Sequence, residues 1–422
     1  MRIPNLYLLP LLVGSVVVGS GHAQAACPAT LQMCSNVTGL GLPSGTQLII
    51  SSGSTALVPL YKSISKSKLL TAGYTVAWVD SAVPGEGSCA GVSRLAAGTK
   101  IASTTLMHYA IDDASVKNQC DCTLDADTNV DIAASDVFAL TCDATLTDVG
   151  LTAKNLKDFK GPINAMTFIV NKAGSAPQAI SYEQAFLLFG FGAMYNVAPF
   201  TDVTQLFIRS NLSGTLNMIT KYLGLKPTWQ GQPQSSGGKV LGAVANPTGA
   251  APEKTIGIVG LDALLADGTN GPLVRVLAFR AKGQRSAYYP DALNAGDRLN
   301  IRDGRYQISG PAHVVAKVDA GGLATGNAAQ FVNVFVDDST SANVDAFIAA
   351  KLTPACAMRT SRTSDGGEMS LYTPTAACDC YFAKGQGLTD SKCPAAATPA
   401  SPCDGTNLCA SGTCRRGVCE YR

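Results

Sequence analysis

After residue 26 the chain alternates between short apolar runs and stretches in which apolar residues recur every three or four positions. "QLII" is followed by Leu57, Leu60, Tyr61 and Ile64, which predict a helix near Thr55 to Ile64, and "YTVAWV" precedes another near Ala90 to Leu95. Further on come "NVDIAA", "AMTFIVN", "SYEQAFLLFGF" and "TQLFIRS". Leu216, Ile219, Tyr222 and Leu223 then carry a helical period, and "TIGIVG" leads into helical "LDALLA". "PLVRVLAFRA", "RYQISG", "AHVVAKV" and the helical "FVNVFVDDSTSANVDAFIAAKL" close this part near Leu352. Strands separated by crossover helices predict an α/β fold.

The two ends depart from this pattern. Residues 1–26 read as an export signal, with Arg2 as a basic start, an apolar stretch from Leu6 to Val18 and a small-residue cleavage site at Ala23-Gln24-Ala25. The expected location is therefore outside the cytoplasm: periplasmic, extracellular or at the cell surface. No later run has the eighteen uninterrupted apolar residues of a membrane span. From Pro354 the chain turns rich in Thr, Ser, Gly, Pro and Cys, and Cys403, Cys409, Cys414 and Cys419 predict a small disulfide knob with three open pairings. It reads as a separate cross-linked module on a linker. All 14 cysteines follow the leader, and their even number favours disulfides over a lipid on Cys27.

Composition narrows the function. With 46% hydrophobic and 15% charged residues the 422-residue chain is globular and long enough for two or three domains. A formal net charge of +2 with no Lys/Arg run gives no field for nucleic acid.

Four loops carry candidate chemistry, and each follows a strand-like run. Ser54, Thr55 and Ala56 sit where a helix begins after Gly53, so two hydroxyls and free N–H groups face one point. Ser88 opens a helix after Gly85 and Gly87; that glycine spacing mimics a dinucleotide fingerprint, but no ribose-binding acid follows at the expected distance. Asp136 ends "VDIAASD", where it reads either as a helix cap or as the acceptor of a proton carried by an anion. In "FIRSNLSGT", Arg209 precedes Ser213, Gly214 and Thr215 at a helix mouth. The alternative is a capping serine beside a solvated arginine.

Taken in order, "GSTALVP", Gly87-Ser88, "AASD" and Arg209 to Thr215 resemble the phosphate-binding proteins of ABC-type phosphate transport, within the two-lobed periplasmic binding protein class. Ala56 and Leu57 stand where that family has Phe and Pro, Asn211 where it has Asp, and Leu212 where it has Gly. "DGRYQISGP" is similar to the strand that returns to the first lobe. The resemblance implies two α/β lobes joined by hinge strands near Lys160 and Tyr306, plus a small disulfide-rich C-terminal extension. Its lobes would be residues 27–159, with an insertion at about 98–129, then 160–305, then a return segment at 306–353. Residues 354–402 would be the irregular extension and linker, and 403–422 the knob.

The resemblance also implies inorganic phosphate as ligand, for uptake or sensing, held by Thr55, Ala56, Ser88, Asp136, Arg209, Ser213, Gly214 and Thr215, to which the helix start after Gly53 adds Ser54. It implies an ABC-type permease as partner, no cofactor and no covalent chemistry. Another tetrahedral oxyanion, such as sulfate or molybdate, and a surface interaction protein that has kept the fold are the alternatives. A phosphate-ester hydrolase would need a metal cluster. Asp125, Asp127, Asn129 and Asp131 alternate as in a calcium loop, but Val130 stands where that loop needs glycine. After the leader only His108 and His313 remain for histidine-dependent catalysis, and neither adjoins a serine motif.

Overall fold

The computed structural model describes residues 27–112, 118–225, 228–248, 252–389, 392–395, 402–404 and 406–422; the leader expected at residues 1–26 lies outside them. One 12-stranded sheet serves two lobes. In the first, β1 (Gln47–Gly53) leads to α1 (Val58–Ile64), β2 (Tyr74–Val79) to α2 (Ser88–Ala97), and β3 (Leu106–Ala110) pairs antiparallel with β4 (Gln119–Thr123). Strand β5 (Ile132–Ser135) lies parallel to β1. The 16-residue β6 (Leu156–Asn171) then crosses into the second lobe.

The second lobe contains α3 (Tyr182–Phe191), β7 (Leu206–Arg209), α4 (Gly214–Leu223), β8 (Gln232–Gln234), α5 (Gly237–Ala245), β9 (Ile256–Gly260), α6 (Leu261–Ala266) and β10 (Val274–Val276). Helix α3 starts at a capping box, in which Ser181 and Gln184 satisfy each other's backbone N–H groups. The chain returns as β11 (Ser309–Lys317), antiparallel to both β5 and β6, and ends this body with α7 (Gly326–Phe335) and α8 (Ser341–Ala349). From β4 the sheet order runs β3, β2, β1, β5, β11, β6, β9, β7, β8.

Alternation along β1 decides the packing of the first lobe. Ile49 enters a core with Tyr61, Trp78, Phe331 and Phe347, while Ile50 enters another with Val79, Val92 and Tyr109, so helices cover both faces of the sheet. In the second lobe residues 164–171 of β6 are buried throughout, and Phe168, Phe189, Leu206, Ile219 and Ile258 form its core. At the crossing, Ile163 exchanges backbone bonds with Thr353 (2.7 and 2.9 Å), and buried Tyr306 donates its hydroxyl to the Met166 carbonyl at 2.8 Å. The β6–β11 register slips between Pro311 and His313, where proline lacks a ladder donor.

All 14 cysteines are in disulfides. Cys27–Cys120 and Cys34–Cys122 fasten the N-terminal segment to β4, so the Cys27 sulfur is engaged in a cross-link. Cys89–Cys142 ties the start of α2 to the segment after Asp136. In the loop with calcium-like spacing the carboxylates fasten separate backbones: Asp125 accepts from the Ser35 hydroxyl (2.5 Å), Asp127 from the Ser103 N–H (2.9 Å) and Asp131 from the Ile50 N–H (2.8 Å).

The separate cross-linked module that the composition predicts is held by side-chain contacts as well as by disulfides. Cys356–Cys378 and Cys380–Cys393 close its first part, and the knob pairs Cys403 with Cys414 and Cys409 with Cys419. Fully buried Asp379, at the start of α9 (Asp379–Gly385), accepts from Arg302, Arg359, Tyr421 and Arg422, the last at 2.7 Å. Glu420 accepts the Cys380 and Tyr381 N–H groups at 2.8 and 2.9 Å. The bonds from Glu420, Tyr421 and Arg422 dock the knob on the start of α9, and Arg302 ties that same Asp379 to the body.

Candidate functional site

In each lobe the parallel strands aim their carboxyl ends at the cleft, where α/β sheets place their ligands. From the first lobe come the loops after β1 (Ser54 to Ala56) and β5 (Asp136), and the start of α2 at Ser88. From the second come Arg209 at the end of β7, the start of α4, the start of α5 and the first turn of α6. Between them lies a cavity of about 120 Å³ lined by Thr55, Ala56, Arg209, Thr215, Ser236 and Asp262, with the glycines around them. That is well under the roughly 300–1,000 Å³ of pockets for drug-sized ligands, so the space suits only a small ligand.

The nine residues singled out from sequence converge on this cleft in different ways. Thr55, Ala56, Arg209 and Thr215 line the cavity. Ser54 stands behind it: its hydroxyl donates to Asp136 Oδ2 at 2.8 Å and accepts the Ala56 N–H at 3.1 Å, which fixes the carboxylate. Ser88 Oγ accepts the N–H of Asp136 (3.2 Å) and the N–H of Gly214 (3.1 Å), one from each lobe. Ser213 is the N-cap of α4 yet makes no side-chain cap bond, and it is buried. The plain capping role therefore does not describe it.

Two glycines are demanded by this contact. Gly87 has φ +146°, and a Cβ there would lie 2.7 Å from the Leu212 carbonyl oxygen, whose partner is the Cys89 N–H at 3.0 Å. A Cβ on Gly214 would lie 2.4 Å from Ser88 Oγ. The lobes touch backbone to backbone.

Arg209 is a buried residue, 6% exposed, rather than a solvated one. Its Nε and Nη2 donate to the carbonyls of Gln234 (3.3 Å) and Ser235 (3.1 Å), and among the described residues no carboxylate pairs with it. Desolvation draws its pKa below the ordinary value, opposed by the charges of Asp136 and Asp262. Asp136 is buried, its Oδ1 has no hydrogen-bond partner among the described residues, and burial raises its pKa against the pull of the Ser54 bond and the Arg209 and His313 charges. His313 on β11 is fully buried, with Nδ1 2.8 Å from Asp158 and Nε2 unpartnered among the described residues.

Sequence reading missed Ser236 and Asp262. Ser236 caps α5 by accepting the Lys239 N–H at 3.3 Å, and "SSGGKVLGAVA" carries the same serine-glycine helix start as the loops that were recognised. Asp262, 1% exposed, accepts from Asn164 Nδ2 at 2.8 Å through Oδ1, while Oδ2 has no side-chain partner among the described residues. A larger cavity of about 280 Å³, where the extension meets the crossing strands β6 and β11 beside Lys160, Met358, Arg362 and Tyr372, holds none of the nine. Among the described residues no helix is long and apolar enough to cross a membrane.

No family model and no curated protein matches the chain. Among solved structures, it is similar to an ABC-type phosphate transport receptor from Vibrio cholerae, with 16% identity over 73% of this chain and 100% of that one and a TM-score of 0.45. A phosphate binding protein from Stenotrophomonas maltophilia is similar at 17% identity over 73% and 90%, with a TM-score of 0.41. PfluDING, a high affinity periplasmic phosphate-binding protein bound with phosphate, is similar at 16% identity over 73% and 90%, with a TM-score of 0.44. At such identities and scores the roles of residues in this chain rest on its own geometry.

Proposed function

We propose that this protein is an exported solute-binding protein that captures inorganic phosphate between its lobes, for uptake or sensing. One observation carries the reading: Arg209 is buried at the cleft without a carboxylate partner among the described residues, while Asp136 keeps an unpartnered oxygen beside it. A desolvated guanidinium calls for an anion, and the helix N-termini at Gly214 and Gly237 add N–H groups and positive dipole ends. A carboxylate that only accepts hydrogen bonds calls for an anion bringing its own proton. Phosphate meets both demands at neutral pH, whereas sulfate brings no proton. Binding alone uses these groups, with no bond made or broken. A periplasmic or cell-surface location, and an ABC-type permease to receive the ion, belong to the same reading.

Titration calorimetry of the mature protein with phosphate, sulfate, molybdate and a phosphate ester tests it. A clear preference for phosphate is expected, narrowed against sulfate by Asp136→Asn. Equal binding of sulfate and phosphate by the wild type would sink the role given to Asp136.

A further inference from the structure

The cleft holds one more acid than capture of a singly protonated anion needs. Asp262 enters from the first turn of α6 and lines the same cavity as Arg209, Thr215 and Thr55. Its Oδ1 accepts from Asn164 of β6, and its second oxygen is buried with no side-chain partner among the described residues. The charged groups that act on it are Asp136, from the loop after β5, and Arg209, from the end of β7; behind Asp136 stand His313 of β11 and Asp365 of the extension. With both acids ionised, one guanidinium faces two carboxylates before any ligand arrives.

We propose that the site binds its tetrahedral oxyanion together with two acidic protons, one shared with Asp136 and the second shared with Asp262, which makes Asp262 a second selectivity residue. This rests on the phosphate reading above. The balance at pH 8 is simple. Hydrogen phosphate supplies one proton, both carboxylates start ionised, and the second proton comes from solvent, so the complex takes up one proton on forming. Burial, and then the charge of Asp136, push the pKa of Asp262 up to about 7, which puts that uptake within the physiological range. Below that pH the proton is already in place.

The experiment is calorimetry with inorganic phosphate from pH 6 to pH 9, at each pH in two buffers of different ionisation enthalpy, on wild type and Asp262→Asn. Wild type should lose about tenfold in affinity per pH unit above about pH 7.5, with uptake of one proton, as linkage requires of a single coupled proton. Asn keeps the bond from Asn164 and offers the ligand an N–H that needs no proton, so the variant's affinity should be flat over the same range. A wild type that binds phosphate with no proton uptake at pH 8 overturns the proposal and leaves the phosphate reading standing. One pH profile shared by both proteins overturns it in the same way. A folded wild type that binds no phosphate at any pH overturns the phosphate reading, and this proposal with it.

Discussion

The Ser88 hydroxyl oxygen lies 3.1 Å from the backbone nitrogen of Gly214, and it accepts the Asp136 N–H at 3.2 Å as well. A side chain of the first lobe thus closes an unpaired N–H at the helix mouth of the second, on the side where Asp136 keeps an oxygen free. The disulfide from neighbouring Cys89 to Cys142 holds this serine against the Asp136 loop. Contact between the lobes therefore runs through groups that the proposed phosphate site would use.

Ser88→Ala leaves both N–H groups without their acceptor, and each unpaired buried donor costs about 1–3 kcal/mol. Without ligand, small-angle scattering should report a larger radius of gyration for the variant. Its phosphate affinity should fall about tenfold. Identical scattering and affinity would show that Ser88 neither joins the lobes nor serves the ligand.

Arg209→Ala should weaken phosphate binding by about 2–4 kcal/mol, because a desolvated anion loses its charge-assisted partner. Circular dichroism should show the fold intact, since the Arg209 side chain donates only to two carbonyls, at the last residue of β8 and the residue after it. Unchanged affinity in a folded variant would put the anion elsewhere.

The residues read from sequence share a local signature: small polar side chains at strand-to-helix junctions, as at Ser54, Ser88 and Ser213. That signature is legible because the chemistry of a helix start is fixed by a few consecutive residues. Asp262 shows the limit. An acid in a helix first turn is ordinary, and only the pairing of β9 beside β7 brings this one to the end of the strand that carries Arg209. The extension was opaque for the same reason, since the arginines on Asp379 come from positions 302, 359 and 422.

Stability should fall as pH rises in the ligand-free protein. Asp262 is raised from an ordinary 3.8 to about 7 by burial and by Asp136, so the folded state favours its protonated form. The stability this contributes is complete below about pH 3.8 and is lost as pH rises through about 7. Burial moves Asp136 and Asp365 in the same direction. Thermal melts should give a higher Tm at pH 5 than at pH 8, with a smaller difference in Asp262→Asn. A Tm that rises over this range would refute the assignment.

Stopping the chain at Ala400 separates two parts of the extension. Its first part spans the cleft region and would remain. Asp365 accepts from the Phe138 N–H (2.9 Å) and the Thr141 hydroxyl (2.8 Å) of the first lobe, while the Arg362 guanidinium lies 4.8 Å over the Tyr222 ring of the second. The part removed carries Glu420 off the Cys380 and Tyr381 N–H groups, and Tyr421 and Arg422 off Asp379, which keeps Arg302 and Arg359. Loss of partners for buried polar groups should cost about 1–3 kcal/mol of stability, read as a lower Tm. Phosphate affinity should stay within about 0.5 kcal/mol of full length, as expected for distant parts with no shared partner. A large loss of affinity with an unchanged Tm would reverse this division, making the knob part of the binding machinery rather than a clamp on Asp379.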